Sequence, residues 1–267
     1  MARFSGVMGR LVVGAVFVAL LAGCVTTTDS RFAREADRDK AIRSYIELAT
    51  AYLGQGNVER ARVHLDRALE LDNDSAEANA VLGLIQQSQG DMGLADASFQ
   101  RALKSKPDYT RGRVFYGAFL FGQDRFTDAK VQFQRASQDS GYPERASVYF
   151  NLGMTEERLG NIEAAESAYL RSVDLSRGEV QSLLALSRVL VEQDEFEEAA
   201  RYYSRLTSVM QRNPNMRHSP ESLLTGIRIA RHYNDRDRES SLALLLRNEY
   251  PESEEYKRYK VLISDVQ

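Results

Sequence analysis

Three histidines, His64, His218 and His232, are the side chains of this sequence best suited to metal binding or proton transfer. None stands at metal-ligand spacing from a cysteine or an acid, so each is expected to be a solvated side chain. The adjacent acids Glu156-Glu157 and Glu197-Glu198 read as helix surface rather than as a catalytic pair. No glycine loop able to cradle a phosphate follows a strand, and the serines show no nucleophile-elbow pattern. Tyr202-Tyr203 falls in a helical pattern where packing is the expected role. Neither catalysis nor a cofactor nor a metal is expected. One reactive group remains: Cys24, the sole cysteine, which cannot form an intrachain disulfide.

The residues before Cys24 give it a use. Arg3 and Arg10 form a positive start, and Leu11 to Leu21 is an apolar stretch of signal-peptide length, too short to span a bilayer. It ends in Leu21-Ala22-Gly23-Cys24, which resembles the bacterial lipobox, where the cysteine thiol takes a diacylglyceryl group. Residues 1–23 are thus expected to be a lipoprotein signal peptide and Cys24 the lipidated residue. Two or more acyl chains anchor firmly, since each buried methylene contributes roughly 0.8 kcal/mol. Position 25 is a valine. In the lipoproteins this resembles, an aspartate there favours the inner membrane, so Val25 implies the periplasmic face of the outer membrane. Residues 24–38 read as a lipid-anchored tether. Drawn out at 3.3–3.6 Å per residue, a dozen residues reach roughly 40 Å.

What must carry a function lies in the elements that follow. The chain has 267 residues, 43% hydrophobic and 27% charged, which is ordinary for a folded body. Thirty-five basic residues less Arg3 and Arg10 leave 33 against 38 acids, a net of −5 beyond the leader. That balance argues against nucleic acid, whose phosphates need a basic face. A small residue recurs at Ala49, Gly83, Gly117, Gly153, Ser187 and Gly226, in steps of 34, 34, 36, 34 and 39. Twelve residues after the first five stand Ala61, Ala95, Ala129, Ala165 and Ala199. Sixteen after all six stand Leu65, Phe99, Phe133, Tyr169, Tyr203 and Leu242. This resembles the tetratricopeptide repeat (TPR), a 34-residue pair of antiparallel helices. The expected fold is all-α: a TPR superhelix of six helix-turn-helix repeats over residues 39–252, with a C-terminal helix over 253–267. Gly56-Asn57, Gly90-Asp91 and Gly160-Asn161 are the turns within repeats. In the sixth repeat Arg238 replaces the alanine, as in a degenerate terminal repeat.

First helices line the concave side of such a stack. Three residues before each small marker stand Ile46, Ala80, Val114, Phe150, Leu184 and Leu223, all apolar; Leu53 and Phe121 extend that face, and Leu84 follows a marker directly. The expected protein-binding groove therefore includes Ile46, Leu53, Ala80, Leu84, Phe121 and Phe150, and suits an apolar or amphipathic partner segment. TPR domains that grip a C-terminal carboxylate resemble one another in an asparagine just after the marker. Thr50, Leu84, Ala118, Met154, Arg188 and Ile227 stand there, which argues against a carboxylate clamp.

Three strings go beyond the generic repeat. Gln138 to Arg145 fills the lengthened joint between repeats three and four, Leu223 to Ala230 opens repeat six, and Tyr250-Pro251 precedes Ser253 and Glu255-Tyr256. With the lipobox-like segment and six repeats, they resemble the type IV pilus biogenesis lipoproteins of the PilF or PilW family, the pilotins. That resemblance implies a monomer that binds the secretin, the multimeric outer-membrane pore of the pilus, and promotes its localisation and multimerisation. A periplasmic TPR lipoprotein serving a cell-wall hydrolase or an outer-membrane assembly scaffold is the alternative.

Overall fold

The computed structural model describes residues 31–213 and 215–264. Cys24 and the apolar leader lie outside them. Thirteen helices occupy the described residues, and no strand is found among them. Six antiparallel pairs run along the chain: α1 (Arg31–Gly54) with α2 (Val58–Leu71), α3 (Ala76–Gln89) with α4 (Met92–Ser105), and α5 (Thr110–Gly122) with α6 (Phe126–Ser137). Then come α7 (Arg145–Arg158) with α8 (Ile162–Ser176), α9 (Val180–Glu192) with α10 (Phe196–Gln211), and α11 (Pro220–His232) with α12 (Arg236–Glu249). The last helix, α13 (Glu254–Ser264), packs on α11 and α12 through Tyr256 and Tyr259.

Turn chemistry sets the pairs. Gly56, Gly90 and Gly160 take positive φ of 73°, 87° and 78°, the left-handed geometry that ends a helix. Asp124, Asp194 and Asn234 do the same at the other three turns, with φ of 55°, 62° and 57°; asparagine and aspartate tolerate this region better than other side chains. Helix starts are capped by Asn57, Ser75, Ser219 and Asp235, whose side chains accept from backbone N–H groups three residues on.

Packing within a pair rests on size complementarity between the small marker and the large residue sixteen further on. A Cβ on Gly83 would meet the Phe99 ring at 2.8 Å, on Gly117 the Phe133 ring at 2.8 Å, and on Gly153 the Tyr169 ring at 2.6 Å. The glycines thus let aromatic rings lie against the first helix, while Leu65 faces the larger Ala49. Tyr203 breaks the rule: it reaches onto the next repeat, its hydroxyl 2.3 Å from where a Gly226 Cβ would sit, and donates to the Ser222 carbonyl at 3.0 Å. Arg238, which stands in place of an alanine, lies over the Tyr203 ring at 5.6 Å.

Helix α1 begins at Arg31, ahead of the expected repeat boundary at 39. The segment from Arg31 to Lys40 has no glycine or proline and mixes both charge signs, so nothing stops the helix. Its early turns are tied down by Arg38, whose Nε donates to the Leu71 carbonyl at 3.1 Å. Over residues 31–38 of the expected tether the advance is thus about 1.5 Å per residue, under half the extended value; residues 24–30 lie outside the described residues.

Candidate functional site: a two-part concave groove

First helices of successive pairs approach one another at α1/α3, α3/α5, α5/α7 and α9/α11, which puts them on the inner side of the curve. Helices α7 and α9 make no comparable approach. Between them opens a hollow of about 580 Å³. Its apolar wall is Phe121 from α5, Phe150 and Met154 from α7, and Leu184 and Ala185 from α9; its polar edge includes Glu157, Arg158, Arg188 and Glu221. A second hollow, of about 270 Å³, lies at the first repeats and is walled by Ile46, Val81 and Phe115, with Arg43, Glu47, Glu77 and Arg111 around them.

The expected groove residues divide accordingly. Ile46 lines the first hollow, and Phe121 and Phe150 share the larger one. Leu53 and Leu84 are half-buried against the core and line neither hollow. Ala80 is corrected outright: it is fully buried, because a residue three before the marker faces the stacked repeats wherever those close over it, as at Leu223.

A charged network crosses the gap between α7 and α9. The Tyr169 hydroxyl donates to Glu157 Oε2, and Arg188 donates to the same oxygen at 2.6 Å. Arg188 also pairs with Glu192 at 3.2 Å and, through Nε, with Glu221 at 2.6 Å. That Nε makes an ion pair but not a well-aligned hydrogen bond. Burial alone would lower the Arg188 pKa; hydrogen bonding to Glu157 and the charges of Glu157, Glu221 and Glu192 outweigh it and raise the pKa. Burial, then the Glu157 hydrogen bond, holds the Tyr169 phenol above its ordinary range. Both groups are therefore fixed in their neutral-pH forms and suit scaffolding rather than proton transfer. In the first hollow, burial and then Glu77 push the Tyr109 phenol up to about 12.

Two expectations about single residues change. Glu156 is buried rather than on the surface, held by Lys130 at 2.8 Å and by the Asn161 amide at 2.8 Å. The histidines pack more than expected. His64 stacks on Tyr52 at 5.3 Å between ring centres, His232 on Phe196 at 3.9 Å, and half-buried His218 bonds Ser222 Oγ at 2.8 Å. Sequence reading also missed the Glu157–Arg188 pair. The signal was there: the residue four after one marker and the residue one after the next marker share a column, which also brings Phe121 to Met154.

Among the described residues, no group of three or more histidines, cysteines or acids could hold a metal ion, and no helix is long and apolar enough to cross a membrane. A tetratricopeptide-repeat family model matches residues 46–110 and 120–180. The chain is 35% identical to the type IV pilus assembly protein PilF of Pseudomonas aeruginosa over 94% of its own length and 99% of that protein. A solved structure of Pseudomonas aeruginosa PilF superposes with a TM-score of 0.76, covering 84% of this chain and 99% of that one. PilW, a widely conserved type IV pilus biogenesis factor, shares the fold at 24% identity and a TM-score of 0.67, over 82% of this chain and 97% of its own. An uncharacterised protein of Haemophilus influenzae is 26% identical over 61% of this chain and 90% of its own length.

Proposed function

The chain belongs to the family of the type IV pilus assembly protein PilF, and from that premise we propose that it serves type IV pilus biogenesis by holding the secretin subunit. In this reading it is an outer-membrane lipoprotein, pinned through lipid on Cys24, that brings secretin subunits to the membrane and promotes their multimerisation. The observation that carries the reading is the concave, apolar-walled groove in a chain related to PilF from end to end. A groove of this kind suits an amphipathic segment, with a few apolar anchors giving affinity and charged edges giving register. Tethering to the membrane raises the effective concentration of each captured subunit relative to its neighbours, which favours assembly without any chemical step.

Two variants test the reading separately. Cys24→Ala keeps the repeats and removes the lipid; secretin multimers should fall in the outer membrane and the variant should leave the membrane fraction. Undiminished multimers in a Cys24→Ala strain would sink the anchor. Ile46→Glu places a charge in the first hollow without touching a fully buried position. It should fold normally by circular dichroism and capture less secretin in a pull-down. Leu53 lines neither hollow and is the poorer site for this test.

A further inference from the structure

One joint of the stack is packed on its outer side and open on its inner side. Outside, α8 lies closely on α9: Tyr169, Val173, Leu183 and Leu186 share one core, and Ser172 Oγ stands 2.8 Å from Ser182 Oγ. Inside, the hollow of about 580 Å³ separates α7 from α9, the one pair of successive first helices that makes no such approach. The chain crosses this joint in three residues, Arg177 to Glu179, fewer than at any other joint between repeats. Arg177 and Gly178 both take positive φ, 58° and 94°. Among the described residues Arg177 is the only one to do so that is not glycine, aspartate or asparagine. Backbone held in that region gathers where structures switch. One ion pair among the described residues crosses the open side: Arg188 of α9 meets Glu157 of α7 at 2.6 Å. Arg188 also meets Glu221 of α11 at 2.6 Å, so it ties the last two repeats together as it reaches back to the fourth. With 22% and 17% of their side chains exposed, Arg188 and Glu157 are screened less by salt than a surface pair.

We propose that repeats five and six swing as a unit about the α8/α9 packing, and that the Glu157–Arg188 bridge is the latch that sets the width of the hollow. Packed helices shift by small sliding and rotation, whereas an ion pair this short holds one spacing only. Arg188 is thus a positioning residue. With the bridge made, Phe150 and Met154 of α7 and Leu184 of α9 stand across a fixed gap. For its use in capture the proposal rests on the function proposed above; the motion itself is measured on the protein alone.

Spin labels on p-acetylphenylalanine in place of Ala97 and Ser240 read the swing, in the full chain and without touching Cys24. Both positions are exposed, on α4 and α12. A label pair at Ala97 and Ser167, within the first four repeats, is the control. Pulsed dipolar spectroscopy should give one narrow Ala97–Ser240 distribution in the wild type. Glu157→Gln should broaden it at least about twofold by populating unlatched states, and Arg188→Met should do the same. Arg188→Lys keeps the charge but not the fork that reaches two acids, so it should broaden the distribution less than Arg188→Met. The Ala97–Ser167 distribution should not change. Glu157→Gln keeps a polar acceptor of the same size for the Tyr169 hydroxyl, and circular dichroism checks that each variant is folded. Equally narrow distributions in the wild type, Glu157→Gln and Arg188→Met would overturn the proposal, and so would equal broadening of both label pairs. Broadening of the Ala97–Ser240 pair alone, with undiminished secretin capture, would leave the hinge standing and remove its role in capture. Reduced capture at an unchanged distance would overturn the hinge and leave the capture reading in place.

Discussion

The two hollows occupy the same inner face and differ in how their charges are arranged. The first, at α1 to α5, sets Arg43 and Arg111 among Glu47 and Glu77, two of each sign. The second, between α7 and α9, is also lined by two of each sign, Glu157 and Glu221 with Arg158 and Arg188, but Glu157, Glu221 and the neighbouring Glu192 all gather on the one half-buried Arg188. The repeat dictates the shape of both. Their chemistry is decided by single positions in the column after each marker: Thr50 in one hollow, Met154 and Arg188 in the other. A solenoid can thus vary recognition from end to end with little disturbance of its packing, because marker and alanine positions line neither hollow and, of the large residues sixteen further on, Tyr169 alone reaches one.

The strongest way to break this contrast is to damage the packing under one hollow alone. Gly153→Leu would drive a side chain into the Tyr169 ring, which sits 2.6 Å from where its Cβ would go. It should cost about 3 kcal/mol by chemical denaturation, while secretin capture through the first hollow stays intact. Gly54→Ala, with nothing within 4 Å of its Cβ, is the control and should change stability by less than about 1 kcal/mol.

Arg188→Met comes next. Glu157 would lose its cation and keep the Tyr169 bond, so stability should fall by about 2 kcal/mol. Arg43→Met in the first hollow, exposed at the surface, should stay within about 0.5 kcal/mol. Comparable losses for the two would erase the distinction drawn here.

The smallest effect is a pH dependence beyond the second hollow. Burial, with help from Arg238 and against Glu249, lowers the pKa of His218. A lowered folded value means the unfolded chain binds the proton more readily, so stability is present above the unfolded pKa of about 6.5 and is lost as pH falls below it. Acidification toward pH 5 should loosen the junction between the fifth and sixth repeats. In His218→Gln that part of the pH dependence should vanish from urea melts.

Much of this was legible in the residue order. The markers at steps of 34 to 39 residues, with a large apolar residue sixteen on, located every helix pair, because the period of a repeat is written locally. Glycine turns were readable, while Asp124, Asp194 and Asn234 were not, since an aspartate or asparagine signals a helix start as readily as a left-handed stop. Apolar character was also a poor guide to accessibility: Ala80 and Ile46 hold the same repeat position, yet one is sealed and the other lines a hollow.

The amino-acid order alone therefore determined the class of the molecule, the number of hairpins and the face that first helices present, all of which follow from spacing within some forty residues. The stacked structure decided where that face opens. The gap between α7 and α9, the burial of Glu156 against Lys130 and the gathering of Glu157, Glu192 and Glu221 on Arg188 depend on how neighbouring repeats dock. Several of those contacts join residues a repeat length apart, and distance along a chain says nothing about separation in space until the rigid units between have packed.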